Sequence, residues 1–214
     1  MLAAKNRSGG YLGRIKAAIS KLSVALTGES WELGEVWHSQ RHPERRYSPE
    51  NARQIVTNLR EHARDPQVAE VACLQVIGGL RHQEAVMLRG KDIDADRCVL
   101  HLERGTKSGR PRKVLVDKKC RGYLQALKKR AGLHSDGHVF QSRGRLGRRV
   151  ERAVDEACKR LGIQDQGTHG FRGTFANVRY GEYRAAGLSE REARRMLAVD
   201  LGHGRVAVTY SYVA

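Results

Sequence analysis

Apolar residues recur at helical spacing along most of the chain. Between residues 11 and 26, Tyr11, Ile15, Ala18, Leu22 and Ala25 share one face and predict an amphipathic helix. Residues 27–47 show no period and read as a connector carrying Trp31 and Trp37. Ser48-Pro49 opens a second block, with Ser48 as N-cap and Pro49 in the first helical position. Its buried stripe is Ala52, Ile55, Val56, Leu59 and Ala63, and Asp65-Pro66 ends it. Residues 68–77 predict a buried helix broken at Gly78-Gly79, and residues 81–89 predict another that stops at Gly90.

The period then changes. Residues 97–103 (RCVLHLE) and 112–116 (RKVLV) are short β-prone runs around a turn containing Gly and Pro, which predicts a hairpin. Helices follow at 118–131 and 146–161, the second with Leu146, Val150, Ala153, Val154, Ala157 and Leu161 on one face. Residues 169–184 predict a further helix, and Ser189-x-x-Glu192 is a capping box for one ending near Asp200. The pattern describes an α+β chain, mainly α-helical with a small antiparallel sheet, divided into residues 1–47 and 48–214.

Composition narrows the class. Hydrophobic residues make up 40%, enough for a packed core, so global disorder is excluded. The longest uncharged core segment, residues 71–80, is far short of the roughly 20 residues that span a bilayer. The first residues (MLAAKNRSGGYLGR) lack an apolar signal region, which predicts a soluble cytoplasmic protein with no membrane association. Cys73, Cys98, Cys120 and Cys158 have no metal-site or disulfide-framework spacing and read as reduced, mostly buried thiols. Charge adds most. The 40 Lys and Arg against 23 Asp and Glu leave +17, which predicts a polyanionic partner bound through its phosphates. An aromatic content of 6% argues against a stacking platform for single strands.

Four local features carry candidate chemistry. Gly78-Gly79-Leu80-Arg81-His82-Gln83-Glu84 puts Arg81 at a helix N-terminus, with Glu84 three residues on to orient its guanidinium. The turn from Gly105 to Lys113 holds Lys107, Arg110, Arg112 and Lys113, cations able to follow a phosphate backbone. Thr168-His169-Gly170-Phe171-Arg172 places a His and an Arg together at a helix start, as a phosphoryl site requires. Leu201-Gly202-His203 is followed by Tyr210 and Tyr212, and a Tyr is a nucleophile at phosphorus where cations stabilise its phenolate. Taken singly, each is better explained as a solvated ion pair, a basic turn or a surface aromatic.

Taken together and in this order, they resemble the catalytic domain of the tyrosine recombinases, the phage and mobile-element integrase family. GGLRHQE is similar to the family's first Arg box, TKSGRPRKV to its hairpin Lys segment, HGFRGTFA to its H-x-L-R box, and LGHGRVAVTYSY to the L-G-H box with its nucleophile. The resemblance runs from about Ser48 to Ala214. Phe171 stands for the usual Leu and Gly173 for a frequent His, and the nine-residue spacing from His203 selects Tyr212 over Tyr210. Residues 1–47 stand where the family carries a complete core-binding domain, and read as its remnant.

The resemblance implies a tyrosine recombinase fold and a catalytic set of Arg81, Lys107, His169, Arg172, His203 and Tyr212, supported by Glu84. Arg110, Arg112 and Lys113 are implied DNA contacts. Tyr212 would attack a scissile phosphate to give a 3′-phosphotyrosyl link, with Arg81 and Arg172 clamping the phosphate and Lys107 protonating the leaving 5′-oxygen. His169 would take the Tyr212 proton or support the phosphate. No cofactor and no metal are implied. The partner is double-stranded DNA at a recombination site, bound by a homo-oligomer, a tetramer. A type IB topoisomerase shares the residue set, and a non-catalytic DNA-binding regulator or an inactive integrase fragment is the alternative from another class.

Overall fold

The computed structural model describes residues 9–29, 46–103 and 111–213. They fall into two compact units, Met1–Pro43 and Glu44–Ala214. In the first, helix α1 (Gly9–Thr27) occupies the interval where the apolar period predicts one.

The second unit is built around a buried helix. Helix α2 (Pro49–His62) starts as expected, with Ser48 Oγ accepting from the Asn51 N–H at 3.0 Å and Pro49 in the first turn. Its Ala52, Ile55, Val56 and Leu59 are buried. They pack on α3 (Pro66–Gly78), which is capped by Asp65 and also touches α6 and α7. Three apolar neighbours on different sides explain why α3 carries no polar stripe.

Helix α4 spans only His82–Val86, shorter than the predicted 81–89. Beyond Met87 the backbone is used elsewhere: Leu88 O accepts from Val139 N, and Arg89 pairs with His138 as an isolated bridge. That tertiary pairing overrides a local helical period. A three-stranded antiparallel sheet follows, β1 (Ile93–Asp94), β2 (Val99–Leu102) and β3 (Arg112–Leu115), in that spatial order. The hairpin is as predicted, and β1 is an addition too short for a sequence period to show. Leu100 faces Val114 and Leu102 faces Arg112 across the β2–β3 ladder.

Helices α5 (Arg121–Ala131), α6 (Arg143–Leu161), α7 (Gly167–Ala185) and α8 (Glu190–Asp200) complete the unit, and a 3₁₀ segment, Val206–Ser211, ends it. The predicted face of α6 is inward: Leu146, Val150, Val154 and Ala157 are buried, with Ala153 and Leu161 partly so. The Ser189–Glu192 capping box is formed at α8. All four cysteines are free thiols, two of them buried. No helix among the described residues is long and apolar enough to cross a membrane.

One residue between α3 and α4 sets how close the site elements come. Gly79 has φ +56, and a Cβ there would lie 2.3 Å from Phe175 Cδ1 of α7. Only glycine satisfies both the left-handed backbone and that approach. Gly79→Ala is therefore expected to cost about 2–4 kcal/mol, combining backbone strain with overpacking. Denaturant unfolding with an unchanged slope measures it.

Candidate active site

The site begins at the turn that Gly79 creates. Arg81 is the N-cap of α4, and Glu84 sits three residues on with its side chain folded back. Glu84 Oε2 accepts from the Arg81 backbone N–H at 2.8 Å, and Oε1 accepts from Arg81 Nη1 at 2.7 Å. The predicted buttress is thus present, and it is shared. Arg112 Nη2 donates to the same Glu84 Oε2 at 2.6 Å. Arg172 Nη1 lies 4.0 Å from that oxygen.

Arg112 is therefore not an open DNA contact, as the turn sequence suggested. The pleat of β3 turns Arg112 inward with Val114 and leaves Lys113 exposed. Arg112 is 7% exposed and also donates to the carbonyls of Asp200 and Gly79. Arg172 is enclosed as well, at 0% exposure. Its guanidinium donates to the carbonyls of Gly79 and Leu201, and Nη2 stands 3.1 Å from His203 Nε2. The Asp200 and Leu201 carbonyls belong to the C-terminus of α8, where unpaired C=O groups and the negative end of the helix dipole favour cations.

Electrostatics follow from this enclosure. Three guanidiniums and one carboxylate (3 − 1) give a local charge of about +2. Burial alone would raise the Glu84 pKa, but the Arg112 charge, the Arg81 N–H and the Arg172 charge hold it below the usual range. Burial first, and then Arg112, push Arg172 down to about 10, so it remains charged at neutral pH. His203 is lowered to about 4 by burial and then by Arg172, Arg81 and Arg112, and is neutral. A guanidinium only donates, so His203 Nε2 accepts and its proton sits on Nδ1.

Tyr212 closes the site. It is 8% exposed, its hydroxyl is 3.1 Å from His169 Nε2, and its ring lies edge-on to His203 with centroids 5.6 Å apart. Tyr210 points elsewhere, stacking on the Arg194 guanidinium 3.9 Å from its ring centroid. The tyrosine nine residues after His203 is the one beside His169 and His203. Lys113 lines a cavity of about 550 Å³ beside His101, Arg112 and His203. Lys107 and Arg110 lie outside the described residues. No cluster of His, Cys, Asp or Glu suited to a metal occurs among the described residues.

Arg81, Glu84, His169, Arg172, His203 and Tyr212 are thus joined through successive contacts, although α4, α7 and the C-terminal segment are far apart in sequence. Sequence reasoning missed the carbonyls of Gly79, Asp200 and Leu201, which no residue type announces. It also missed Arg145, Arg148 and Arg152, exposed on one face of α6. Arg143 and Arg149 on that helix are paired with Asp136 and Asp65. Helix α6 runs beside the site, since a Cβ at Gly147 would meet His82 Cδ2 at 3.3 Å. The arginine spacing of three and four was the available signal.

An enclosed arginine cluster beside a tyrosine hydroxyl and two imidazoles has the donors and the charge to hold a phosphate. The profile of the phage integrase family matches residues 45–214, and the chain belongs to that family. Its fold is that of solved tyrosine recombinases. A Tn1549 transposon integrase in complex with transposon right end DNA has a TM-score of 0.72 at 16% identity, over 98% of this chain and 76% of that one. XerA recombinase gives 0.60 at 18% identity, over 97% and 78%. The catalytic domain of bacteriophage HP1 integrase gives 0.56 at 19%, over 78% and 85%. No curated protein matches the chain.

The His203 imidazole is expected to titrate at about 4, below its ordinary 6.5, and to keep neutral NMR shifts at physiological pH. The unfolded chain takes up that proton near pH 6.5, so His203 withdraws stability as pH falls from about 6.5 towards 4. His203→Gln should flatten thermal stability against pH in that window. An imidazole titrating at its ordinary value overturns the neutral assignment.

Proposed function

We propose that this protein performs site-specific DNA strand transfer as a tyrosine recombinase, with Tyr212 as the nucleophile. The observation that carries the reading is the Tyr212 hydroxyl 3.1 Å from His169 Nε2, at the edge of a buried cluster with excess positive charge. Tyr212 Oη attacks the phosphorus and passes its proton to His169. The bond from phosphorus to the 5′-oxygen breaks, and Lys107 protonates that oxygen. The product is a 3′-phosphotyrosyl link with a free 5′-hydroxyl. Attack by another 5′-hydroxyl reverses the step with no net change in bond type, so no external energy source is needed.

Charge accumulating on the non-bridging oxygens meets fixed partners. Arg81, whose side chain is 20% exposed, and the Nδ1–H of His203 make the direct contacts. Arg172 and Arg112 act from beneath through charge and by holding His203 and Glu84 in place. Pre-set donors of this kind need no reorganisation during the reaction. Lys113, Arg110 and the α6 face of Arg145, Arg148 and Arg152 take the DNA backbone.

The proposed partner is double-stranded DNA at a recombination site, engaged by a homo-oligomer, a tetramer. Residues 1–47 are read as the remnant of a core-binding domain, and 48–214 as the catalytic domain. The presence of DNA with the similar Tn1549 integrase supports the choice of partner.

Nicked suicide duplexes, incubated with EDTA and run on a denaturing gel, test the chemistry. Wild type and Tyr210→Phe should form a covalent adduct, and Tyr212→Phe should form none. An adduct that survives in Tyr212→Phe removes Tyr212 from the mechanism.

Affinity for duplex DNA should fall steeply with salt. Each of Arg145→Ala, Arg148→Ala and Arg152→Ala should reduce the slope of log affinity against log salt by about 1. Unchanged slopes in all three place the backbone on another face.

A further inference from the structure

We propose that Arg46 and Asn177 are positioning residues that latch the main chain of Tyr212, tying the nucleophile to the point where the chain enters the second unit. The inference rests on the reading of Tyr212 as the nucleophile. Asn177 lies on α7, eight residues beyond His169 and on the same face. Its Nδ2 donates to the carbonyl of Tyr212 at 2.5 Å and to that of Gly173 at 3.0 Å, while its Oδ1 accepts from Arg46 Nη1.

These partners leave no choice in the amide's orientation. Two carbonyls only accept, so they require the NH₂ group, and a guanidinium only donates, so it requires the oxygen. Both N–H donors of Asn177 and one lone pair of its oxygen are then committed, and Arg46 fixes which way the amide faces.

The latch matters because the nucleophile sits on a weak element. Tyr212 follows a 3₁₀ segment whose last bonds are those from Tyr212 N and Val213 N to Thr209 O. Such a segment is held in place mainly by what grips it from outside. One grip is Arg194 Nη1 on the Val213 carbonyl at 3.1 Å. Another is Asn177 on Tyr212 itself.

The next residue secures the partner imidazole. Tyr47 is 2% exposed, and its hydroxyl donates to Asp165 Oδ1 at 2.9 Å and accepts from Gln166 N at 3.0 Å, at the start of α7. Its carbonyl accepts from Thr174 Oγ1 at 2.8 Å. Its ring lies under Gly170, where a Cβ would stand 2.6 Å from Tyr47 Cε2. Adjacent residues 46 and 47 thereby reach both halves of the Tyr212–His169 contact, one through the main chain of Tyr212 and one through the turn that carries His169.

Backbone amide exchange over residues 206–213 in the free protein tests the latch directly. Asn177→Ala should speed exchange there by about tenfold, the loss of roughly one hydrogen bond's worth of protection. Asn177→Asp keeps the shape but cannot donate to Tyr212 O, so it should do the same. Arg46→Ala should accelerate the same residues, and adding it to Asn177→Ala should change nothing more. Unchanged exchange in Asn177→Ala and Asn177→Asp overturns the latch, whether or not the wild type cleaves DNA.

With suicide duplexes, the adduct rate at saturating DNA should fall by about tenfold in both Asn177 variants. The DNA concentration for half-maximal rate should hold, and the thermal midpoint should fall by only a few degrees. A wild-type rate in both variants overturns the positioning role, whereas an adduct that survives in Tyr212→Phe strikes the assignment of the nucleophile and not the exchange result.

Discussion

The carboxylate of Glu84 is the interaction on which the site depends. It is 1% exposed, and three guanidiniums approach it, from α4, β3 and α7. Without a carboxylate there, these elements would bring three like charges together in a region of low dielectric. Losing one partner of a buried charged pair commonly costs about 3–5 kcal/mol. Glu84 is therefore a packing residue in the electrostatic sense. It lets β3 and the start of α7 close on the α3–α4 turn while one carboxylate leaves the cluster with excess positive charge. That surplus is what a phosphate would neutralise.

Backbone groups do the rest of the holding. Arg112 and Arg172 both reach the Gly79 carbonyl, and they end on the carbonyls of Asp200 and Leu201. A helix C-terminus has C=O groups without partners and a partial negative charge, and a left-handed glycine exposes a carbonyl at a sharp turn. Both features recruit arginine without adding a second carboxylate that would repel a phosphate. The two arginines consequently brace the cluster from inside, and Arg81 and His203 are partly exposed.

Much of the fold was legible because local chemistry and tertiary context agree. Ser48-Pro49, Asp65-Pro66 and Ser189-x-x-Glu192 are caps whose hydrogen bonds are local, so their sequence is enough to place helix starts. The α6 stripe is legible for the same reason. Residues 87–89 were not, because their backbone is claimed by Val139 and His138, some fifty residues away. Within the site, the charged and aromatic residues could be identified from type and order. What each guanidinium does could not, because that is decided by distant carbonyls and by the pleat of β3. Arg112 and Lys113 are neighbours in a basic run, yet one is buried against Glu84 and the other is exposed.

The enclosure of the cluster has a consequence for how chemistry here would respond to pH. Glu84 is held in its charged form by its arginine neighbours, Arg172 stays protonated up to about 10, and His203 takes a proton only near 4. Between mildly acidic and mildly alkaline pH the clamp therefore keeps one charge state and one hydrogen-bond pattern. An oxygen placed against it meets the same field throughout that range. Any pH dependence at the site then comes from groups outside this cluster.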